Sequence, residues 1–415
     1  MNRFINKLLV VFLFVIASTS GTIIGYSFYD NISQDRSESL TIGEWLTESI
    51  AISNAQEFYN MVINPNSIST DSYYLTNNID FTGFSWIYDS TNFDTVFRGQ
   101  LNGNGYSLDN LTIYSNNSNY SNFGIFPQIE GATIINLVLN NIDLSLGSSA
   151  LSSSSISSGL IAGGVIGSTN SIQNITILNS GVRGTSYIGT GGLIGYISGS
   201  TTILNISNVL TSNLKVFSNG AYVGGLVGSL ESSGSTVNIT DIDLNGEVFS
   251  PSGSSYTGGV IGNITSGSYF NLERAVIEQR SQNTLETSQY YLQYSSKYLG
   301  GIIGFNQGSS TSVVINNVFF TGELITQNSR NGIYVGTFIG RNKGSYTFTN
   351  SYYSQVLFIT RSGTTYNSTS RGVDLTLVSS SSMPSLTWWN SFATSFYNSN
   401  SLWTQDVSGR LKLSR

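Results

Sequence analysis

The chain contains no histidine and no cysteine, and only 4 prolines in 415 residues. Without those side chains there is no Ser-His-Asp or Cys-His catalysis, no ordinary zinc site, no thiol redox chemistry and no disulfide. Charge is scarce as well. Charged residues make up 10 % of the sequence, the formal net charge is −6 and the pI is near 4.7. Such a balance offers no basic footprint, so nucleic acid is not an expected partner.

What fills the chain instead is 44 glycines, much serine, threonine and asparagine, and 12 % aromatic residues. That is enough apolar surface for a core, so the low charge points to dense strand structure rather than disorder. At the N-terminus Arg3 and Lys7 precede the apolar run Leu8 to Ala17, followed by Ser18, Thr19, Ser20 and Gly21. This is the order of an export signal, assigned to residues 1–20. The run is short for a membrane span, so membrane contact is expected only through an uncleaved signal anchor. No cysteine follows it, which excludes a lipoprotein anchor. A secreted or cell-surface location is expected, with stability drawn from repetitive hydrogen bonding and packing.

Internal repetition decides the rest. A four-residue core recurs as Gly164-Val165-Ile166-Gly167, Gly192-Leu193-Ile194-Gly195, Gly225-Leu226-Val227-Gly228, Gly259-Val260-Ile261-Gly262 and Gly301-Ile302-Ile303-Gly304, with a worn copy at Thr337-Phe338-Ile339-Gly340. The last glycines lie 28 to 42 residues apart. After each core come a polar turn and an alternating segment with an asparagine: Asn174, Asn205, Asn238, Asn271, Asn316 and Asn350. The third core position is always the β-branched Ile or Val, which suits a pleated, packed surface. Runs such as Thr133 to Leu139, Ile172 to Leu178 and Val237 to Leu244 are bounded by Gly, Ser and Asn as strands are. A unit too small to bury its own apolar face must stack on copies of itself. The predicted fold is therefore all-β, a parallel β-helix of eight to ten coils, extending roughly 45 Å at about 4.8 Å per coil.

These strings resemble the GLUG-repeat family of bacterial surface proteins, whose unit runs Gly-Gly-Leu-x-Gly, a turn, then Ile-x-Asn-x-Tyr; Asn350-Ser351-Tyr352-Tyr353 matches it. Upstream, Tyr74 to Phe81, Trp86 and Phe97 to Gly105 resemble the opening coils of extracellular β-helices. The leader Gly21-Thr22, Tyr26, Phe28 and Asp30, with Thr41-Ile42-Gly43-Glu44-Trp45, resembles camelysin-like and biofilm-fibre proteins of Gram-positive bacteria and their relatives. The bacterial source so implied makes the Asn-x-Ser/Thr triplets at Asn174, Asn205, Asn238 and Asn263 a by-product of composition rather than glycan sites.

The expected domains are a signal peptide (1–20), a leader and helical cap (21–64), the β-solenoid (65–360) and a C-terminal cap (361–415). Ser53-Asn54-Ala55-Gln56 reads as a capping box opening a helix through Val62. Trp388, Trp389, Phe392, Phe396, Tyr397 and Trp403 form a non-repetitive cluster suited to closing the far end, where open edges invite pairing.

Three sets of residues are site candidates. Counting five back from the core Ile or Val gives Tyr222, Tyr256, Tyr298 and Tyr334, four tyrosines in one register. If the aliphatics point inward, the rings line the outside, as a structural stack or as a binding row for sugar or peptide. Asp143, Asp241 and Asp243 are the acidic candidates, for Ca²⁺ or a glycosidase pair, with solvated strand faces the plainer account. No cofactor is otherwise implied. The six asparagines are expected to form one structural ladder at coil bends, where amides hydrogen-bond between coils and tolerate turn conformations. The charged, Tyr-rich insertion Glu273 to Lys297 suits either a binding loop or a neutral insertion. The favoured function is an adhesion, matrix or carbohydrate-binding module facing an extracellular glycan or protein surface. The alternative is a polysaccharide lyase or glycosidase, which would need a cleft of clustered charges that this sequence supplies sparsely.

Overall fold

Each repeat is too small to bury its aliphatic side chains alone, and it does so by winding once round and lying parallel on the repeat before it. Pairings between successive coils are parallel along the stack, for example 169–178 on 203–212 and 236–249 on 269–279. The fold, seen in a computed structural model, is thus a parallel β-helix. The structure describes residues 49–63, 71–87, 95–116, 121–147, 156–184, 188–250, 255–265, 267–279, 298–325, 334–359, 365–366, 372–379, 384–397, 402–406 and 410–413. The expected export signal, the leader 21–48, residues 280–297 of the insertion, and the side chains of Phe396 and Tyr397 lie outside the described residues.

Every coil has three faces. The first is a seven-stranded sheet of very short strands, ending in Tyr222–Gly224, Tyr256–Gly258, Tyr298–Gly300 and Tyr334–Gly336. The second is an eight-stranded sheet that includes Ile194–Ser198, Val227–Leu230, Ile261–Ile264, Ile303–Asn306 and Ile339–Asn342. The third, wide face carries the longest strands, Thr236–Phe249 and Ser312–Ile325 among them. Seven and eight strands on the two short faces put the coil count at or below the lower end of the expected eight to ten.

Inside, the aliphatics form continuous columns. One runs Leu101, Ile134, Ile172, Ile206, Ile239, Leu272 and Ile315, all within 1 % of full burial. Column packing requires that the two short faces approach closely, and glycine permits it. A Cβ on Gly228 would lie 2.4 Å from the Thr190 amide nitrogen, and one on Gly262 would lie 2.5 Å from that of Val223. Those distances are to backbone, which cannot move aside, so the last glycine of the core exists for close approach rather than for an unusual φ. The register corrects the first repeat. Ala162 pairs with Ile194, so the partner of Gly192-Leu193-Ile194-Gly195 is Leu160-Ile161-Ala162-Gly163 and not Gly164-Val165-Ile166-Gly167. Alanine in the third position had hidden the true copy.

The wide face bends at a position that recurs along the stack, where the backbone adopts a positive φ: Asn136 (56°), Asn174 (55°), Asn208 (54°), Asp241 (57°), Arg274 (54°), Asn317 (55°) and Asn350 (47°). Asparagine tolerates this region because its short amide satisfies the local backbone. Here the amides also link coils: Asn174 Nδ2 donates to Asn136 Oδ1 at 2.7 Å and Asn350 Nδ2 to Asn317 Oδ1 at 3.0 Å.

Both ends differ from expectation in detail. The strand Ile50–Ile52 already pairs in parallel with Ser72–Leu75, so the stack begins before the helix. Helix α1, Ala55–Ile63, inserts Phe58, Met61 and Val62 into the first coil's core. Its cap is shifted by one residue: Asn54 Oδ1 accepts from the Glu57 amide at 3.0 Å, and Glu57 Oε2 accepts from the Ser53 amide at 2.7 Å. Glu57, not Gln56, closes the box because only it lies three residues past the cap. At the other end, helix α2, Leu386–Tyr397, and the hairpin of Trp403–Gln405 with Leu411–Leu413 do not close the terminus of the coil stack. Trp389, Phe392, Trp403, Leu411 and Leu413 pack sideways on Val276 and Phe319, which point outward from the wide face. Residues 372–379 instead pair with the last coil, Thr376 opposite Tyr352 and Val373 opposite Ile339.

Candidate functional site

The four tyrosines occupy one column. Tyr222 pairs with Tyr256, Tyr256 with Tyr298 and Tyr298 with Tyr334. They sit outside because each alternates, within its own short strand, with an inward residue: Val223, Thr257, Leu299 or Val335. The five-residue offset to the core Ile or Val turns a corner between two faces, so strand parity along that offset is not the cause. Tyr222 and Tyr256 stack with ring centroids 5.2 Å apart and 30° between planes, Tyr256 and Tyr298 at 4.7 Å and 24°. Tyr298 then meets Tyr334 edge-on at 5.3 Å. Tyr298 is buried, and the other three are partly exposed.

A second column runs beside them on the neighbouring face: Tyr196, Ser229, Asn263, Phe305 and Arg341. The glycine-mediated approach of the faces brings the columns into contact. Phe305 lies 5.0 Å from Tyr256 and 4.8 Å from Tyr298, centroid to centroid. The Arg341 guanidinium rests 5.0 Å from Tyr298, 5.0 Å from Tyr334 and 5.4 Å from Phe305, and it donates to the Tyr298 hydroxyl. A cation on ring faces is attracted by their quadrupoles, so this end of the strip is held by charge.

The upstream end is different. There Ser229 takes the place of the ring, and its hydroxyl donates to Glu231 Oε1 at 3.0 Å. Beneath, the Asn263 amide reaches Ser229 Oγ at 3.5 Å, and its Oδ1 has no partner although the residue is fully buried. Burial pushes the Glu231 carboxyl above the usual carboxylate range, against the hydrogen bond from Ser229. Burial, then the Glu231 charge, then Tyr256 push the Tyr222 phenol up to about 12. Tyr196 is raised by burial and then by Glu231, and Tyr256 by burial and then by Tyr298. These three phenols therefore keep their protons at neutral pH and act as hydrogen-bond donors.

The acidic candidates are not brought together. Asp143 is exposed, accepts from Ser145 Oγ at 2.5 Å, and lies three coils upstream of the other two. Asp241 receives Arg274 through both carboxylate oxygens, at 2.8 and 3.0 Å, and the Trp403 indole at 2.8 Å. Asp243 receives Arg410 at 3.1 Å, and the same guanidinium bonds Glu278 at 2.5 Å. Carboxylates filled by guanidinium do not fit a calcium site, and Asp241 and Asp243 instead anchor the C-terminal segment. Among the described residues no three Asp, Glu, His or Cys group in a way that could hold a metal ion.

The single asparagine ladder is replaced by three columns. Asn174 and Asn350 belong to the positive-φ column. Asn205, Asn238 and Asn271 share a mid-strand column, where Asn238 Nδ2 donates to Asn205 Oδ1 at 2.9 Å. Asn316 is in a third, between Glu273 and Thr349. Polar turns of unequal length after each core shift the asparagine between these positions. The sequence reading also missed Tyr196, Ser229, Asn263, Phe305, Arg341 and Glu231. A signal for the first five was there: each directly follows the last glycine of its core.

No family model matches the chain, and no curated protein matches it. Two solved structures are similar in fold. One is a Bacteroides ovatus protein provisionally described as an immunoglobulin A1 protease, at 15 % identity and TM-score 0.49, covering 88 % of this chain and 92 % of that one. The other is described as an IgA1 protease, at 14 % identity and TM-score 0.39, covering 83 % of this chain and 24 % of that one, so this chain spans about a quarter of its length.

Proposed function

We propose that this β-helix is a secreted or cell-surface, GLUG-like binding module whose tyrosine strip recognises an extracellular glycan. The observation that carries the reading is the in-register row Tyr222, Tyr256, Tyr298 and Tyr334 on the outer side of the coils. Stacking occupies both faces of Tyr256, so the row offers ring edges and phenol hydroxyls rather than a flat platform. Tyr222 and Tyr256, partly exposed and one coil apart, supply donors that complement a polymer whose hydroxyls recur regularly. The order of basic, apolar and small residues at the N-terminus supports export, and the family resemblance supports a surface setting.

Glycan-array binding of the purified protein, followed by calorimetry on hits, tests this. Tyr222→Ala and Tyr256→Ala are expected to weaken binding at least tenfold while the coils stay folded. Unchanged affinity in both variants overturns the reading and leaves the stack as scaffold.

A further inference from the structure

The two ends of the tyrosine strip are chemically opposite. Downstream, the chain supplies its own cation, Arg341, to Tyr298, Tyr334 and Phe305. Upstream, the same two columns present Tyr222, the small Ser229 and Tyr196, with Glu231 bonded to Ser229. Gly189, opposite Tyr222 in the register, brings no side chain to that position. Glu231 accepts from the Ser229 hydroxyl and has no Lys or Arg ion partner among the described residues.

We propose that Tyr196, Tyr222 and Glu231 bind a protonated primary amine carried by the glycan, so that the polymer recognised contains hexosamine with free amino groups. This rests on the glycan reading above and names its chemical class. A carboxylate has about four lone-pair sites, and Glu231 uses one oxygen on Ser229, so acceptor capacity remains for an ammonium group. Its partial burial penalises the unpaired charge, and an arriving cation relieves that penalty. Both neighbouring phenols stay protonated and can donate to sugar oxygens, while their rings attract the ammonium as the downstream rings attract Arg341. The net charge of −6 further favours a cationic polymer over an acidic one.

The test is calorimetry at pH 6 with a deacetylated chito-oligosaccharide and its fully N-acetylated counterpart of equal length. Wild-type protein is expected to bind the free-amine form at least tenfold more tightly, and Glu231→Gln to bring the two ligands to parity. Asp143→Asn, which removes an exposed carboxylate elsewhere, is expected to leave the preference intact. Equal affinity for both ligands in the wild type, or a preference that survives Glu231→Gln, overturns the inference while leaving glycan binding standing. A preference reduced as much by Asp143→Asn as by Glu231→Gln also overturns it, because net charge then explains the effect. Binding of neither oligosaccharide nor any arrayed glycan, together with binding of a lysine-rich peptide, overturns both readings.

Discussion

In the coils between Ser72 and Ser218 the wide face breaks at two asparagine columns. One continues through Asn136, Asn174 and Asn208, and the other through Asn110, Asn141, Asn179 and Asn213, all at positive φ. The second is also bonded between coils, with Asn141 Nδ2 on Asn110 Oδ1 at 2.8 Å and Asn213 Nδ2 on Asn179 Oδ1 at 3.1 Å. From Tyr222 onward that second bend disappears and the strand runs unbroken, as in Thr236–Phe249. The first column persists but changes chemistry, its amides giving way to the Asp241–Arg274 ion pair before returning at Asn317 and Asn350. Next to it, the outward column reads Val138, Thr176 and Leu210 upstream and Asp243, Val276 and Phe319 downstream, and from Leu210 on it lies under the C-terminal segment. The same backbone slot thus accepts either an amide pair or an ion pair, and the ion pair stands where the Trp403 indole also bonds Asp241.

Three substitutions sharpen this contrast. Arg410→Met leaves Asp243 and Glu278 buried without their cation, which is expected to weaken docking of the C-terminal segment by about 3–5 kcal/mol. Hydrogen exchange should rise at 386–413 and stay unchanged in the coils before Ser198; equal deprotection in both regions would break the comparison. In the upstream coils, Asn174→Val places a β-branched residue at positive φ and cuts the amide chain. A loss of about 1–3 kcal/mol in denaturant unfolding is expected. Asn174→Gly, which keeps the φ and loses only the amide, should cost about 1 kcal/mol.

The tyrosine strip lies within the downstream coils, and its two ends offer the smaller tests. Arg341→Met retains the apolar stem and removes the cation from three rings, with an expected cost of about 0.5–2 kcal/mol read from thermal unfolding. At the other end, Glu231 is raised by burial, so the folded state holds its proton more tightly than the unfolded chain does. In the window between the ordinary value of 4.5 and its folded value, its contribution to stability therefore falls as pH rises. Relative to Glu231→Gln, the wild type is expected to fall in Tm as pH rises from 4.5 to 7. A wild type that gains stability over the variant on that rise would show the carboxylate to be favourably paired.

How much of this was legible depends on how far apart in the chain the partners lie. A glycine-flanked core with a β-branched third position recurs in successive coils from Gly192, so the parallel β-helix and the tyrosine register could be counted directly from the sequence. Asn174 and Asn350 were found for the same reason, whereas Asn205, Asn238, Asn271 and Asn316 fall away from the bend because turn length varies from coil to coil. The residues beside the tyrosines follow a glycine at a fixed offset, yet Tyr, Ser, Asn, Phe and Arg share no chemistry that marks them as one column.

The sequence by itself determined the coil: a period of aliphatics and glycines has one consistent solution when each unit must bury its face on the next. Tertiary structure alone decided the fate of the charges. Arg410 reaches Glu278 and Asp243 across 132 and 167 residues, and Trp403 reaches Asp241 across 162. Contacts at such separations fall outside the repeat, leave no periodic trace, and arise only when the C-terminal segment folds back along the wide face. Asp243 looks like a ligand in the sequence because Arg410, and the apolar column on which its segment docks, reach it only in the folded chain, whereas Asp241 is met by Arg274 one coil further on.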